Sequence, residues 1–312
     1  MVQLYTCTMN LAIDLFIETE MMKPKVVNRT LDDEIQANGK GVNVSLILKK
    51  LKIDSTALGF SGGFTGRYIE EFLQEKGVGT QFIQVDGTTR INVFTQVNQD
   101  QTEYKLVNKG PEIPIKKVDE LLAMIRKIEA GSYLCVSGSL PQGISETILV
   151  EISKITQEQK INLVLDSSYN SVMDCLMYQP FLLKPNEEEL ANWFDQETIS
   201  LEESPKYLKR LVDLGAQRVL LSFGGKGCFY ADKETIIYGN APTGKVVNTA
   251  CAGDTLLGTF MSGLLQGEKI DEALKHSIAA GSSTAFRKGL TDFTDTNELT
   301  KQIQIQVIEG KI

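Results

Sequence analysis

From about residue 130 onward, short aliphatic and β-branched runs alternate with longer segments of helical period. SYLCVS (132–137), INLVLD (161–166), FLLK (181–184) and RVLLSF (218–223) are the short runs. The segments at 144–159, 187–194 and 207–215 lie between or beside them. Strand, helix, strand at this spacing predicts βαβ units, hence a parallel sheet covered by helices on both faces. Two further helices are expected at 252–267 and 271–286, where apolar residues recur at i, i+3 and i+4. The first third departs from this pattern. It opens with a strand over 2–8, then a polar, helix-poor stretch (14–37), a helix at 42–51, and strand, helix, strand up to Val85. INVFTQVNQD and QTEYKLV (91–107) look like two antiparallel strands joined by a polar turn, with no helix after either. Such strands do not belong in a doubly wound sheet. The excursions at 14–37 and 88–110 therefore predict a small β-sheet projecting from the core as a lid. The 312 residues are expected to form one α/β domain, near the upper size for a single core.

The balance of 32 basic against 40 acidic residues gives a net charge of −8. That argues against nucleic-acid binding, which draws its affinity from neutralising phosphates. A small anionic ligand remains compatible, because a few local cations overrule a distant field. The five cysteines (Cys7, Cys135, Cys175, Cys228, Cys251) are odd in number and form no CxxC pair, as expected of small core residues in a reducing compartment. No apolar run approaches the roughly 20 residues that span a bilayer. The first ten residues, MVQLYTCTMN, lack the basic then apolar pattern of a signal peptide. A cytoplasmic protein with no membrane partner is the expectation. The lone His276 lies in a helical, partly apolar segment, where a structural or surface role is expected, and one histidine cannot build a histidine-based metal centre.

The strongest local signal is VVNTACAGDTLLGTF (246–260). A strand-like run ends in a turn of small residues, and Asp254 stands at the mouth of an apolar helix. The amides there, those of Ala252 and Gly253 among them, would face a bound anion at the positive end of the helix dipole. A carboxylate beside such a cradle can take the proton of an attacking hydroxyl during phosphoryl transfer; equally, it can simply cap the helix. Other turns are individually weak. NGKGVNVS (38–45) is Gly-rich but matches neither G-x-G-x-x-G nor G-x-x-x-x-G-K-[ST]. GFSGGFTG (59–66) and SFGGKG (222–227) suit a nucleotide rim or any tight turn. KPNEEEL (184–190) sets Asn186 and Glu189 three apart, which suits a hydrated Mg²⁺ or a solvated acidic helix start.

Together these segments cease to be generic. TMNLAID (8–14), NGKGVNVS, GFSGGFTG, TRINV (89–93), SGSLP (137–141), DSS (166–168), KPNEEEL, NTACAGD (248–254) and AAGSS (279–283) resemble, in order and spacing, the PfkB family of ribokinase-like sugar kinases. The match runs nearly end to end. It is nearest the sugar-phosphate branch, 1-phosphofructokinases more than tagatose-6-phosphate kinases. The resemblance implies a ribokinase-like three-layer core with a β lid, ATP and Mg²⁺ as cofactors, and a sugar phosphate as acceptor. Fructose 1-phosphate is favoured over tagatose 6-phosphate.

By the same resemblance, Asp254 is the catalytic base and the amides of Cys251, Ala252, Gly253 and Asp254 form the anion hole. Asp14, Gly39, Lys40 and Asn43 take the sugar. Arg90 and Lys105 take its phosphate, with Lys40 and Ser139 pointing the same way, and Arg29 reaches across a lid-to-lid homodimer. Lys184, Asn186, Ser222, Gly224 and Gly227 match the ATP side, Gly281 the adenine pocket, and Asn186 with Glu189 the Mg²⁺ pair, acting through water. One departure stands out: the family's Gly-Ala-Gly-Asp reads Cys251-Ala252-Gly253-Asp254 here. That substitution is the only support for a non-catalytic sugar-phosphate-binding relative, which the retained Asp254 opposes. A nicotinamide oxidoreductase is opposed by the missing G-x-G-x-x-G with its downstream acid.

Overall fold

The computed structural model describes residues 3–311. Met1, Val2 and Ile312 lie outside the described residues, and with them the first position of the strand expected over 2–8 and the ends of the 1–312 domain.

The strands are β1 (Leu4–Thr8), β2 (Ala12–Thr19), β3 (Asp32–Asn38), β4 (Thr56–Gly62), β5 (Gly79–Val85), β6 (Arg90–Val97) and β7 (Thr102–Leu106). They continue as β8 (Tyr133–Ser137), β9 (Asn162–Asp166), β10 (Leu182–Leu183), β11 (Val219–Ser222), β12 (Gly227–Ala231), β13 (Ile236–Asn240) and β14 (Ile305–Glu309). The helices are α1 (Lys40–Lys50), α2 (Gly63–Glu75), α3 (Ile115–Ile125), α4 (Thr147–Gln159) and α5 (Val172–Cys175). After them come α6 (Glu187–Trp193), α7 (Ser204–Leu214), α8 (Ala252–Gln266), α9 (Ile270–Ala285) and α10 (Thr296–Thr300).

Ten strands form one sheet in the order β14-β13-β12-β11-β10-β9-β8-β1-β4-β5. It is parallel from β11 to β5, and β12, β13 and β14 add an antiparallel edge. Both faces are covered, which is why the central strands read as nearly unbroken apolar runs. One face carries α3 to α7 over a core that includes Leu58, Leu134, Leu163 and Leu221. The other carries α1, α8, α9 and α10 over Val44, Cys135, Val164 and Leu220. Alternate residues of β8, Leu134 and Cys135, thus serve opposite cores, the period of two that a strand imposes. Cys7, Cys135, Cys175 and Cys228 are buried, and all five thiols are free.

The second sheet has four strands in the order β3-β2-β6-β7. It is the expected lid, with β2 antiparallel to β3 and parallel to β6, and β6 antiparallel to β7. The root of the lid rests on α1 and α2 through Leu11, Ile13, Ala37, Val42 and Ile69. Beyond the root its two faces differ. Asp14, Phe16, Glu34, Asn92, Phe94 and Lys105 share one face by register, and Leu15, Ile35, Val93 and Leu106 share the other.

Helix α8 lies between α1 and α9 and is buried along most of its length. Its Gly258 lets α1 come close: a Cβ there would stand 3.0 Å from Ile47 Cγ2. A helix apolar on every side belongs in an interior. Its packing fixes the start of α8 beside the carboxyl ends of β1, β9 and β10.

Candidate active site

In an open parallel sheet the crevice beyond the carboxyl ends of the strands is where side chains from several units converge. Here Asp166 is the last residue of β9 and Lys184 directly follows β10. Asp166 Oδ1 lies 3.2 Å from Lys184 Nζ and 3.0 Å from Lys40 Nζ at the start of α1. The Asp166 carboxylate is fully buried. Burial alone would raise its pKa, but the two ammonium groups, Lys184 first, hold it below the usual carboxylate value. Its second oxygen, Oδ2, is buried without a hydrogen-bond partner. Burial would likewise lower the pKa of Lys40, yet Asp166, Asp254 and Glu189 together drive it up.

Lys40 and Lys184 open onto a cleft of about 480 Å³. Asn43, Asn186, Ser222, Gly224 and Gly227 line it, as do Cys251, Ala252, Gly253 and Asp254. Gly281, Ile278, Ala285, Phe286 and Pro242 form an apolar wall at one end. Gly281 is required by a close approach: a Cβ there would lie 3.1 Å from the Ala252 carbonyl oxygen. Twelve residues singled out in the sequence from five separate segments thus share one cavity.

The turn into α8 has the expected form. Cys251 is the N-cap at φ 63°, ψ −1°, a left-handed conformation, and its side chain makes no capping bond. A residue with a Cβ pays about 1–2 kcal/mol for that region, which glycine enters freely. The Ala252 amide turns back to the Thr249 carbonyl at 3.3 Å, whereas those of Gly253 and Asp254 have no backbone acceptor among the described residues. These two donors stand at the positive end of a 15-residue helix. Lys184 Nζ adjoins them, 3.5 Å from where a Gly253 Cβ would be.

Asp254, on the first turn of α8, is buried, and its Oδ2 accepts from Asn43 Nδ2 at 2.8 Å. Burial first and the Asp166 charge second push its pKa up to about 6, against the pull of Lys40, Asn43 and Lys184. Cys251, and not Asp254, occupies the N-cap of α8; Asp254 lies in the first turn, where its carboxylate faces the positive end of the dipole. The Cys251 thiol lies 3.2 Å from Asn43 Nδ2. Burial, followed by the charges of Asp254 and Asp14, raises its pKa and keeps it neutral, overriding the opposite effect of the helix dipole.

The lid supplies the other half. Asp14 is buried, accepting from Asn92 Nδ2 at 2.8 Å and from Asn38 Nδ2. Burial raises its pKa, and those two bonds with the Arg90 charge oppose the rise. Gly39, at φ 145°, joins the lid to α1, and a Cβ there would sit 2.7 Å from Thr8 Cγ2. Arg90, at the root of β6, donates to Ser139 Oγ (3.2 Å), the Asn10 carbonyl (3.1 Å) and the Asn108 carbonyl (3.1 Å). Its Nε is buried and unpartnered. Arg90 and Ser139 are therefore brought together as expected.

Lys105 is not brought to them. It pairs with Glu103 at 3.1 Å, four positions beyond Arg90 in the lid register, beside Phe94. Lys40 pairs with Asp166 at 3.0 Å, whereas Arg90 pairs with Ser139. Arg29 lies in the exposed loop between β2 and β3.

Asn186 and Glu189 form a capping box on α6: Glu189 N–H donates to Asn186 Oδ1 (2.7 Å), and Asn186 N–H to Glu189 Oε2 (2.9 Å). Both side chains thus have one oxygen engaged. No group of three or more His, Cys, Asp or Glu residues able to enclose a metal occurs among the described residues. The free Glu189 oxygen and the orphaned Asp166 Oδ2 fit a hydrated cation carried in on phosphate oxygens, the way Mg²⁺ prefers to bind.

Asp166, Asn38, Asn92 and Asn10 were given no role by sequence reasoning. Asp166 had the clearest signal, an acid closing a buried strand. Asn92 is detectable only once register sets it opposite Asp14.

The profile of the pfkB family carbohydrate kinases matches residues 5–297. The chain belongs to that family. It is 48% identical over 303 residues to a D-tagatose-1-phosphate kinase of Bacillus licheniformis, covering 97% of this chain and 99% of the relative. A 1-phosphofructokinase of Bacillus subtilis is 34% identical over 304 residues, 97% and 98% of the two chains. Among solved structures, phosphofructokinase-2 from Escherichia coli in complex with substrates and products superposes with a TM-score of 0.89 at 26% identity, over 96% of this chain and 99% of that one. The protein is a sugar-phosphate kinase of ribokinase-like fold, and the oxidoreductase reading is excluded.

Proposed function

We propose that this kinase transfers the γ-phosphoryl group of ATP to the C6 hydroxyl of a ketohexose 1-phosphate, giving the 1,6-bisphosphate. The observation that carries the proposal is one base between two anion sites. Asp254 stands beside the Gly253 and Asp254 amides and Lys184 in the cleft, and hydrogen bonds through Asn43, Asn38, Asp14 and Asn92 link it to the root of the lid, where Arg90 meets Ser139. A ketohexose 1-phosphate has its free primary hydroxyl at the end opposite its phosphate, as this arrangement requires. Sequence motifs favoured fructose 1-phosphate. The 48% identity to a protein named for tagatose 1-phosphate favours that C4 epimer as the preferred acceptor, with fructose 1-phosphate second.

In the mechanism, Asp14 and Asn43 hold sugar hydroxyls and Arg90 with Ser139 anchors the sugar phosphate. Asp254 removes the hydroxyl proton as the oxygen attacks phosphorus. Lys184 and the α8 amides stabilise charge on the transferring group as the bond to ADP breaks. Glu189 and Asp166 would hold Mg²⁺ through water, and the bound ion would neutralise phosphate charge.

Homodimerisation through the lids belongs to the same proposal. Ile35, Tyr104 and Leu106 are 53%, 52% and 62% exposed on a sheet with open edges, and such a surface favours a partner. A relative from Escherichia coli has been solved in a tetrameric inhibited form. ADP release measured with tagatose 1-phosphate, fructose 1-phosphate, tagatose 6-phosphate and fructose 6-phosphate tests the substrate. Higher kcat/KM on either 6-phosphate would reject the proposal. Light scattering that reads 34.5 kDa at assay concentration would reject the dimer.

A further inference from the structure

We infer that Asn38 is a positioning residue: its side-chain oxygen orients the amide of Asn43, so that Asn43 holds the base Asp254 in register with the closed lid. The inference rests on Asp254 being the base.

Asn38 is the last residue of β3, at the joint between lid and core. Its Oδ1 accepts from the Gly39 amide at 2.5 Å and from Asn43 Nδ2 at 2.8 Å. A backbone N–H can only donate, so the oxygen must face Gly39 and the nitrogen must face the other way. That nitrogen donates to Asp14 Oδ2. One amide thereby ties together the sugar-binding carboxylate of the lid, the backbone of the joint, and a core residue in contact with the base.

Asn43 turns this tie into an orientation. Its Nδ2 has two hydrogens but three acceptors within reach: Asn38 Oδ1 at 2.8 Å, Asp254 Oδ2 at 2.8 Å and Cys251 Sγ at 3.2 Å. With Asn38 taking one hydrogen, the other falls to Asp254, the thiolate-poor sulfur being the weaker and more distant acceptor. Remove the Asn38 oxygen and the first hydrogen turns to Cys251, which rotates the amide away from Asp254. Lid opening would carry Asn38 away with Asp14 and release the base in the same way. Asp254 is then aligned only while Asn38 stays at the joint between lid and core.

Steady-state kinetics with Asn38→Ala, Asn38→Asp and Asp254→Asn tests this. Asn38→Ala is expected to lower kcat about 10- to 100-fold, the scale of a misplaced reacting group, with KM for ATP unmoved. It also shifts the acid limb of kcat/KM to higher pH, because Asp254 loses a bond to its charged form. Asp166, Lys40 and Lys184 are left in place, whereas Asp14 also loses its Asn38 donor; the shift is therefore read in an Asp14→Asn background, where Asp14 no longer titrates and a limb that still moves with Asn38→Ala belongs to Asp254. Asn38→Asp keeps the acceptor oxygen but sets a carboxylate against Asp14. It raises KM for the sugar phosphate while retaining more kcat than Asn38→Ala.

An Asn38→Ala enzyme with wild-type kcat and an unmoved limb overturns the inference. So does a lowered melting temperature with an unmoved limb, which is a structural role only. Should Asn38→Ala fail to fold, Asn38→Ser carries the same readings. An active Asp254→Asn would instead remove the reading of Asp254 as base. An inactive Asp254→Asn beside unaffected Asn38 variants removes only the present inference.

Discussion

Replacing Asp254 with Asn is expected to do two opposite things. The pKa of the folded carboxyl is raised from 3.8 to about 6, with burial as the largest cause. For an acid whose folded pKa lies above its unfolded one, the folded state favours the protonated form. There is no penalty at pH below both values; it grows between them and is complete above about 6. The gap, at about 1.36 kcal/mol for each tenfold change in proton affinity, amounts to about 3 kcal/mol at neutral pH. Asn has the same shape, no charge to desolvate, and an oxygen to accept from Asn43. Asp254→Asn should therefore stabilise the fold by up to about 3 kcal/mol at pH 8, or roughly 5 °C in melting temperature for a chain this long. At the same time kcat falls by about 10²- to 10⁴-fold, the usual contribution of a general base. Paired melting curves at pH 8 and pH 4 with a coupled ADP assay read both effects. The stability difference should shrink at pH 4. A variant less stable than wild type at pH 8, or a pH-independent difference, would refute the electrostatic argument; kcat above a third of wild type would refute the base.

Asp166→Asn should cost about 3–5 kcal/mol of stability in denaturant titrations, because Lys184, 5% exposed, is left as a buried charge without its partner; a loss below about 1 kcal/mol would contradict this. Arg90→Ala should raise KM for the sugar phosphate and leave KM for ATP unchanged, and equal losses on both would place Arg90 outside the sugar-phosphate site. Cys251→Gly should change kcat by less than about tenfold, since the main chain and not the thiol supplies any donor here; restoration of transfer from an inert wild type would make the parent chain a sensor. ATP should slow labelling of Cys251 by a thiol reagent, and equal rates with and without nucleotide would move the phosphates away from this turn.

The parts of this molecule governed by local pattern were legible from the residues. β8, β9 and β11 announced themselves as short apolar runs, and α8 and α9 as periodic segments. The lid followed from strands with no helix after them. Helix α3 escaped notice because IKKVDELLAMI follows a proline-rich stretch and precedes the regular alternation. β14 escaped because IQVIE is five residues long, with no flanking signal to distinguish a strand from a helical turn. Within the site, residues on Gly-rich turns and at the start of α8 were found from sequence. Those defined by partners across the fold were not. Asp166 matters because Lys40 and Lys184 reach it from 126 and 18 positions away. Lys105 was misplaced for the opposite reason: a cation in the right strand says nothing about its distance from Arg90 until register is known.

The single Asp166 oxygen that faces both lysines has a thermodynamic consequence. In the proposed assignment Lys184 serves the nucleotide and Lys40 the sugar, and both draw on one counter-ion. A triphosphate that engages Lys184 leaves Asp166 bound more tightly to Lys40, and a ligand that engages Lys40 does the same for Lys184. The two substrates are thus linked through a shared charge, apart from their contact at the transferring group. Whatever factor bound nucleotide imposes on sugar affinity, bound sugar must impose on nucleotide affinity, as the closed cycle demands.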